Sequence, residues 1–345
     1  MERTSEIILR NAARLGSGAL LLVNPPCDSL FSVLGGEGRR VKASTQDFGD
    51  FQRLQDDGAD VTFDAVPLTH ESPATVILFL PREKERLALM LHAISSSLPP
   101  AGTLWLAGEN QAGIKSAGRH LKPYFQTVNK LDSARHCVLY EAVGPRKDKP
   151  FELTAYQAIW TTEFAGKSIE IVSLPGVFAH GRLDPGSLLL LQTLERLNPQ
   201  GKILDFACGS GVIGCALLAV GAQAELTMLD VSAQAIESSR LSLERNALSG
   251  VLLASDGLSM VEGNYDWIIS NPPFHRGVSN DLEIAANFFR CAGTLLNKNG
   301  RMVIVCNRHL PYTGWLRNHF EQVTLLDRNN KFMVIQAGQP RNIEE

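Results

Sequence analysis

The second half of the chain alternates short apolar runs with segments of helical periodicity, and this alternation constrains the fold most. The predicted order is strand 202–206, helix 211–219, strand 225–229, helix 232–246, strand 250–254, strand 265–270, helix 281–296 and strand 301–306, followed by an antiparallel pair near 322–327 and 331–337. Strands that alternate with helices fold as βαβ units. The sequence therefore predicts a doubly wound parallel sheet, which binds ligands at the carboxyl ends of its strands.

The first half carries a weaker copy of the same pattern. Its apolar runs at 18–23, 75–80 and 102–107 correspond in order to the first, fourth and fifth strands of the second half. Near the end of each half, Phe125, Val128, Leu131, Asp132 and Ala142 match Phe320, Val323, Leu326, Asp327 and Ala337 at a constant spacing of 195 residues (125 to 320). Such self-similarity predicts two copies of one α/β unit.

The two copies differ in the residues that follow their strands. Where the second has Asp205 and a glycine-rich turn, the first has Leu22 followed by an Asn-Pro-Pro turn at 24–26. We predict that this first Asn-Pro-Pro is only a turn, since it lacks the aromatic fourth residue of its counterpart at 271–274. The expected organisation is a degenerate domain at 1–145, which supports the fold or docks the substrate, and a catalytic domain at 146–345. The Gly, Pro and Lys-rich segment 144–150 would link them.

Basic residues of the first half are candidates for substrate docking, with a solvated protein surface as the alternative for each. They are Arg82, Lys84, Arg86, Lys115, Arg119, Lys122, Arg135 and His136.

Composition narrows the class of protein further. The chain has 345 residues, 44% of them hydrophobic, and a net charge of −3, which argues against a protein that coats nucleic acid without specificity. Its six cysteines form no C-x-x-C pair and no His/Cys ligand cluster, so we expect reduced thiols and no metal. No apolar run is long enough to cross a bilayer, and charge interrupts the N-terminus. We expect a cytoplasmic monomer without membrane contact.

A glycine-rich turn after the first strand of the second half admits two interpretations. Gly209, Gly211 and Gly214 form a G-x-G-x-x-G pattern, which is typical of nicotinamide-dependent dehydrogenases. Asp205 lies four residues before Gly209, where its carboxylate would repel a pyrophosphate. The same carboxylate favours a cofactor with a cationic amine and sulfonium and no phosphate. The sequence therefore predicts S-adenosylmethionine.

Two further acids follow the next two strands of the predicted sheet. Asp230 lies where it can bind ribose hydroxyls, and Asp256 lies where it can reach the amino group of an adenine. Core packing does not readily account for three acids at three successive strand ends. We interpret Cys208, between the first acid and the glycines, as a small residue of the tight turn.

The fourth strand ends at a stiff proline turn. Two prolines follow Asn271, and because proline cannot continue a ladder the strand must end there. The Asn271 side-chain oxygen and the Pro272 carbonyl can accept both hydrogens of a weakly nucleophilic amine and favour the sp3 nitrogen of its transition state. Phe274 can stack on the planar group that carries the amine. The structural alternative is a plain turn with a core phenylalanine.

Together these motifs resemble a known family. They are Asp205-x-x-Cys208-Gly209-x-Gly211, Asp230, Asp256 and Asn271-Pro272-Pro273-Phe274-His275, with Pro175-Gly-Val-Phe178, Leu183-Asp184-x-Gly186-Ser187, Gly108-Glu109-Asn110-x-x-Gly113-x-x-Ser116-Ala117 and Asn129-Lys130-x-Asp132-Ser133-Ala134-Arg135. The first set resembles class I methyltransferases that act on exocyclic amines. The whole, over about residues 3–340, resembles the RsmC type of small-subunit ribosomal RNA guanine-N2 methyltransferase.

The resemblance implies an α/β fold of two tandem class I methyltransferase-like domains, Rossmann-like and doubly wound, the N-terminal one degenerate. It implies that S-adenosylmethionine methylates a guanosine of 16S rRNA, guanosine 1207, within the assembled 30S subunit. The cofactor-binding residues it implies are Asp205, Cys208, Gly209, Gly211, Asp230, Asp256 and Asn271; the catalytic residues are Asn271, Pro272 and Phe274. One departure is Ala207, where such motifs usually carry glycine.

Other functions remain open from the sequence. A related family with the same Asn-Pro-Pro-Phe-His motif modifies large-subunit RNA. An Asn-Pro-Pro-aromatic turn also serves enzymes that methylate adenine N6 or a protein glutamine. A nucleic-acid-binding scaffold without activity is the alternative of a different class, and the intact acids at 205, 230 and 256 argue against it.

Overall fold

The computed structural model of the protein describes residues 1–36, 38–67, 73–220, 224–272 and 279–341, with the backbone alone for 279–284. The chain divides into two compact units, Met1–Tyr156 and Gln157–Glu345. The division falls after Tyr156 rather than after residue 145, where the sequence placed it. The reason is that Phe151, Leu153 and Tyr156 pack on the first unit, against a small cluster that includes Leu89.

The first unit contains seven strands and five α-helices within the described ranges. In chain order they are α1 (Arg3–Arg10), β1 (Leu20–Val23), α2 (Leu30–Gly36), β2 (Val41–Thr45), α3 (Phe48–Asp56), β3 (Val61–Phe63), β4 (Thr75–Phe79), α4 (Lys84–Ser97), β5 (Thr103–Glu109), α5 (Ile114–Leu121), β6 (Phe125–Ala134) and β7 (Cys137–Pro145). The sheet order is β3-β2-β1-β4-β5-β7-β6. The pairs β5–β7 and β7–β6 are antiparallel, and the other neighbouring pairs are parallel.

The second unit repeats this architecture after an added hairpin. Its elements are β8 (Ala158–Phe164), β9 (Lys167–Ser173), α6 (Pro185–Leu197), β10 (Gly201–Phe206), α7 (Val212–Ala219), β11 (Ala224–Asp230), α8 (Ala233–Arg245), β12 (Val251–Ala254), β13 (Tyr265–Ser270), α9 (Ser279–Thr294), β14 (Leu296–Asn307), α10 (Tyr312–His319), β15 (Phe320–Arg328) and β16 (Phe332–Pro340). The main sheet has the order β12-β11-β10-β13-β14-β16-β15. The predicted doubly wound α/β fold and its duplication are confirmed.

The final strand pair carries the repeat down to single residues. In the first unit the β6–β7 register shifts between Lys130 and Asp132, and in the second the β15–β16 register shifts between Leu325 and Asp327. These bulges lie at the spacing that the sequence predicted. A bulge twists its strand locally, so a shared bulge indicates that both copies keep the same local geometry.

The aspartate of each bulge bonds the helix that precedes the unit's central strand. Asp132 accepts a hydrogen bond from Asn11 and pairs with Arg10, at the end of α1. Asp327 pairs in the same way with Arg196, in the last turn of α6. These contacts lower the pKa of both carboxyls, mainly through the Asn11 and Arg196 hydrogen bonds respectively. These contacts join α1 to strand β6 in the first unit and α6 to strand β15 in the second.

Apolar side chains fill both faces of each sheet. In the second unit, Leu204 and Ile268 lie in one core with α9 and α10, while Ile203 and Ile269 lie in the other with α6 and α7. Strands buried on both faces consist of continuous apolar residues, which is why the runs were recognisable. Among the described residues, no helix is both long and apolar enough to span a bilayer.

Candidate active site

The candidate site lies where strands β10, β11, β12 and β13 end together. Parallel pairing places Phe206 beside Leu229 on one side and beside Ser270 on the other. The hydroxyl of Ser270 donates to the Phe206 carbonyl at 2.7 Å, and the Ser255 amide donates to the Asp230 carbonyl at 3.1 Å. The strand ends are therefore bonded to one another, and the residues that follow them meet at one edge of the sheet.

Asp205 is completely buried at the end of β10. Its Oδ2 accepts a hydrogen bond from the Gly214 amide at 3.0 Å, while Oδ1 has no donor among the described residues. The pKa of Asp205 is raised to about 8, mainly by burial; the Gly214 hydrogen bond opposes the rise and the nearby Asp230 adds to it. A buried carboxylate oxygen without a donor is costly. A cationic donor bound at this position would remove that cost.

The glycine-rich turn has the backbone that its sequence predicts. Gly209 and Gly211 adopt left-handed conformations, with φ of 58° and 78°. A Cβ on Gly211 would lie 2.7 Å from Cε of Met228 and 2.9 Å from Oγ of Ser239, so only glycine fits there. Ala207 also has a left-handed φ, of 58°, a conformation that favours glycine. The turn accepts alanine at the cost of local strain.

Cys208 occupies the turn as a buried thiol. Its Sγ lies 3.3 Å from Oγ of Ser239, which donates in turn to the Gly209 carbonyl. Burial raises the pKa of Cys208 well above its ordinary value, and Asp230 and Asp205 add to the rise. A neutral buried thiol is a poor nucleophile, so this residue has a packing role in the turn.

The second acid joins the turn, whereas the third lies apart from it. Asp230, at the end of β11, accepts hydrogen bonds from the Gly209 amide at 3.0 Å and the Ser232 amide at 2.9 Å. Asp256 is exposed and lies two residues beyond the end of β12. The structure thus brings Asp205 and Asp230 to the two sides of the glycine turn and leaves Asp256 at the rim of the same strand ends.

Asn271 and Pro272 follow β13 at the same edge of the sheet. Asn271 is half-buried, and its Nδ2 donates to Oδ2 of Asp184 at 3.1 Å and to Oγ of Ser187 at 2.9 Å. Pro272 is buried. Phe274, the predicted stacking residue, lies outside the described residues, as does Pro273. The structure therefore fixes the first half of the motif.

Several serines support the site, and sequence reasoning missed them. Ser242 of α8 donates to the Ser210 carbonyl of the glycine turn at 2.9 Å, and it also bonds Val172 of β9. Ser238, also in α8, accepts a hydrogen bond from the amide of Leu174, the residue that follows β9. Buried serines on one face of a helix are a weak sequence signal, because serine is common on exposed helix faces. They tie the added hairpin, α8 and the turn together.

The chemistry of these groups fits S-adenosylmethionine. The unpaired Asp205 oxygen suits a cationic amine, the glycine turn leaves room for a close approach, and no phosphate-binding cation is needed. Among the described residues, no cluster of three or more His, Cys, Asp or Glu side chains could hold a metal.

Both halves match family models. Residues 168–336 match the methyltransferase small domain and residues 5–160 match its N-terminal companion domain. The sheet order and the acid and glycine pattern after β10 define a class I, S-adenosylmethionine-dependent methyltransferase.

Full-length relatives narrow the class. The ribosomal RNA small subunit methyltransferase C of Pseudoalteromonas atlantica is 37% identical, covering 97% of this chain and 98% of that one. The protein of that name from Pseudomonas putida is 38% identical, covering 98% and 99%. The chain belongs to the family of ribosomal RNA small subunit methyltransferase C. A solved structure of the Thermus thermophilus 16S rRNA N2 G1207 methyltransferase, in complex with AdoMet and guanosine, has the same fold, with a TM-score of 0.86, 23% identity and coverage of 98% and 92%.

Proposed function

We propose that this protein transfers a methyl group from S-adenosylmethionine to the exocyclic N2 amine of a guanosine in 16S rRNA. The observation that carries the proposal is the buried, unpaired Asp205 oxygen at the same sheet edge as the anchored Asn271. The first feature suits a cationic cofactor and the second suits an amine substrate. Family membership supports both, and guanosine 1207 is the position named for the Thermus thermophilus protein.

Each cofactor-facing residue has a distinct role in this proposal. Asp205 receives the amine of the methionine end, Gly209 and Gly211 allow close approach, and Cys208 packs behind them. Asp230, which also accepts hydrogen bonds from the Gly209 and Ser232 amides, takes the ribose hydroxyls. Asp256 stands at the rim for the adenine. S-adenosylmethionine, when bound, supplies an electrophilic methyl group on a positively charged sulfur.

Asn271 and Pro272 act on the accepting amine. The N2 lone pair of guanine is delocalised into the ring, so the free amine is a weak nucleophile. Acceptance of both its hydrogens by Asn271 Oδ1 and the Pro272 carbonyl favours the pyramidal nitrogen that can attack the methyl carbon. After transfer the nitrogen carries an acidic proton that water can remove, so no strong base is required. Most of the rate acceleration then comes from positioning.

The substrate must expose an amine that is normally base-paired. The guanosine is therefore extruded or already unpaired, and Phe274 stacks on it. We further propose that the protein acts as a cytoplasmic monomer on the assembled 30S subunit, with the first unit docking the RNA. Among the suggested docking residues, Arg86 is a poor candidate, because it is largely buried and bonds Gln46 and Glu83. Exposed Arg119 and Lys122 remain available.

The other substrates are less well supported. The relatives that match nearly the whole chain are named for the small subunit, which argues against 23S rRNA, adenine N6 and protein glutamine as primary targets. An inactive scaffold would have no ligand to offset the cost of the buried Asp205 carboxyl.

Labelled cofactor tests the proposal directly. The protein is incubated with methyl-tritiated S-adenosylmethionine and, separately, with 30S particles, naked 16S rRNA, 23S rRNA or duplex DNA, all unmodified, and the labelled nucleoside is identified after digestion. We expect N2-methylguanosine from the 30S sample. Label mainly in 23S rRNA would contradict the proposed substrate but not the proposed methylation of an exocyclic amine. Label in N6-methyladenosine would contradict both the guanosine substrate and the N2 position.

A further inference from the structure

The side-chain amide of Asn271 is held by the first turn of helix α6. One proton of its NH2 group goes to Oδ2 of Asp184 and the other to Oγ of Ser187. Ser187 is buried and Asp184 is half-buried. An amide NH2 group has two protons to donate, so both are used. Asp184 and Ser187 therefore form a clamp that fixes the amide plane.

The chemistry of the clamp determines which way the amide faces. An ionised carboxylate only accepts hydrogen bonds, so the group of Asn271 that faces Asp184 must be NH2 and not the carbonyl. The amide oxygen is then directed away from Asp184. Among the described residues, no donor bonds to Asn271 Oδ1. The group left free is the acceptor.

We propose that Asp184 and Ser187 are positioning residues that keep Asn271 Oδ1 presented to the amine of the substrate. The inference rests on the proposed function, because it assigns the clamp a part in methyl transfer. Without the clamp the amide can turn over, and its NH2 group would then oppose the hydrogens of the substrate amine. The anionic partner also draws on the amide N–H bond and so increases the electron density on Oδ1.

The clamp is rigid because it is part of a helix start. Asp184 is the N-cap of α6, and the same Oδ2 also accepts from the amides of Gly186 at 2.8 Å and Ser187 at 3.0 Å. Pro185 occupies the first turn, where its fixed φ suits the helix. Three donors thus converge on one oxygen. Any rotation of the carboxylate would break the cap as well as the contact with Asn271.

The described residues of the first unit show no counterpart of this arrangement. Glu2 precedes α1 without a side-chain capping bond, and β4 is followed by Leu80 and Pro81 rather than by an asparagine. The clamp is therefore not a general requirement for packing the first helix on this sheet. The clamp occurs in the second unit, where Asn271 follows β13.

Four variants separate positioning from folding. Ser187→Ala removes one acceptor, and Ser187→Thr keeps the hydroxyl. Asp184→Asn keeps a capping oxygen, since asparagine is as good an N-cap as aspartate, but removes the charge. Thr193→Val is the matched control, because Thr193 is the other hydroxyl residue of α6 and its Oγ1 bonds only within the helix and toward Asp327. For each variant we would measure kcat and KM on 30S particles, the Kd for S-adenosylmethionine by calorimetry, and Tm.

Ser187→Ala is expected to lower kcat about tenfold, the scale of one buried donor left without its partner. Asp184→Asn should lower kcat in the same direction, while Ser187→Thr should restore it to within about threefold of the native value. The Kd for the cofactor should stay within about twofold in all four, and Thr193→Val should keep the native kcat.

Two results would contradict the proposed positioning role of Asp184 and Ser187. One is a native kcat in both Ser187→Ala and Asp184→Asn. The other is an equal fall in kcat in Thr193→Val, which would mean a general loss of helix stability. A native protein that produces no N2-methylguanosine would instead overturn the proposed function, so the two failures are distinguishable.

Discussion

In the first unit the central strand β1 ends at Val23 and continues into Asn24, whose side chain accepts from the Gln46 amide and lies 3.9 Å from Sδ of Met90. In the second unit the equivalent strand β10 ends with a buried carboxyl, Asp205, and continues into a turn of left-handed residues. The two strands have equivalent neighbours: β1 lies between β2 and β4, and β10 lies between β11 and β13. Both polar atoms of the Asn24 side chain thus have partners, whereas Oδ1 of Asp205 has none among the described residues.

This difference separates what maintains the fold from what performs the chemistry. The sheet order, the apolar cores and the bulge with its aspartate–helix contact are common to both units. They suffice to fold the sheet, because burial of apolar strands is the dominant stabilising contribution. What the second unit adds is a fully buried carboxyl with an unpaired oxygen, Asp205, where the first unit has Leu22.

The two Asn-Pro-Pro turns offer the sharpest test of the comparison. Asn271→Ala removes a proposed acceptor of the reacting amine, and we expect kcat to fall about 100-fold or more. Asn24→Ala removes the acceptor of the Gln46 amide and leaves an alanine at φ of 52°. It should lower Tm by several degrees and leave kcat unchanged. Equal losses of kcat on 30S particles in both variants would contradict the assignment of chemistry to the second unit.

The buried acid predicts a pH dependence that the first unit cannot supply. The pKa of Asp205 is about 8 in the folded protein and 3.8 ordinarily, so between these pH values the folded state holds a proton that the unfolded chain has released. The free energy of unfolding of the cofactor-free protein should therefore fall as pH rises through this window. Asp205→Asn should remove that slope.

Cofactor binding should reverse the same protonation. A cationic amine favours the charged carboxylate, so binding at pH 7 should release a proton from Asp205. Calorimetry in two buffers of different ionisation enthalpy measures this release. We expect about one proton fewer released by Asp205→Asn, together with at least tenfold weaker binding. An unchanged proton count would show that Asp205 does not face the cofactor.

Glycine substitutions test the two units at the level of the backbone. Gly211→Ala would bring a Cβ within 3 Å of Met228 and Ser239, so it should destabilise the protein by about 2–3 kcal/mol. Gly113, before α5 in the first unit, also has a positive φ, of 90°, but its Cβ would meet nothing within 4 Å. Gly113→Ala should cost only the left-handed strain, about 1 kcal/mol. Urea unfolding of the two variants gives the comparison.

The smallest expected effect concerns Ala207. Ala207→Gly relieves a left-handed alanine and should raise stability by about 0.5–1 kcal/mol. Ala165, with φ of 46° in the hairpin between β8 and β9, is a matched control away from the strand ends. Both glycine variants should raise Tm by a few degrees, and neither should weaken cofactor binding. A loss of affinity in Ala207→Gly alone would assign the methyl group a direct role.

Local patterns predicted most of this architecture, because continuous apolar strands and helical periodicity are sequence-local properties. The constant spacing from Phe125 to Phe320 indicated a duplication, and in the structure these two residues begin the equivalent strands β6 and β15. The contact between Asp184 and Asn271 joins residues 87 apart, so no local pattern could indicate it. The packing of Phe151, Leu153 and Tyr156 on α4 is likewise a contact between distant residues that the sequence does not indicate.

The complete burial of Asp205 was likewise beyond the sequence. Its position at a strand end predicted a cofactor contact, but the unpaired oxygen and the raised pKa depend on how α7 and the glycine turn close over the strand. The sequence therefore indicates what kind of ligand Asp205 contacts, whereas the pKa of its carboxyl depends on the packing around it.

The number of S-adenosylmethionine molecules bound per chain distinguishes the two units. Titration of the native chain with S-adenosylmethionine in a calorimeter should give one site per chain, and Asp205→Asn should abolish or greatly weaken it. Two sites per chain, or one site of native affinity in Asp205→Asn, would contradict the account, because the first unit would then bind cofactor without the acid and glycine turn.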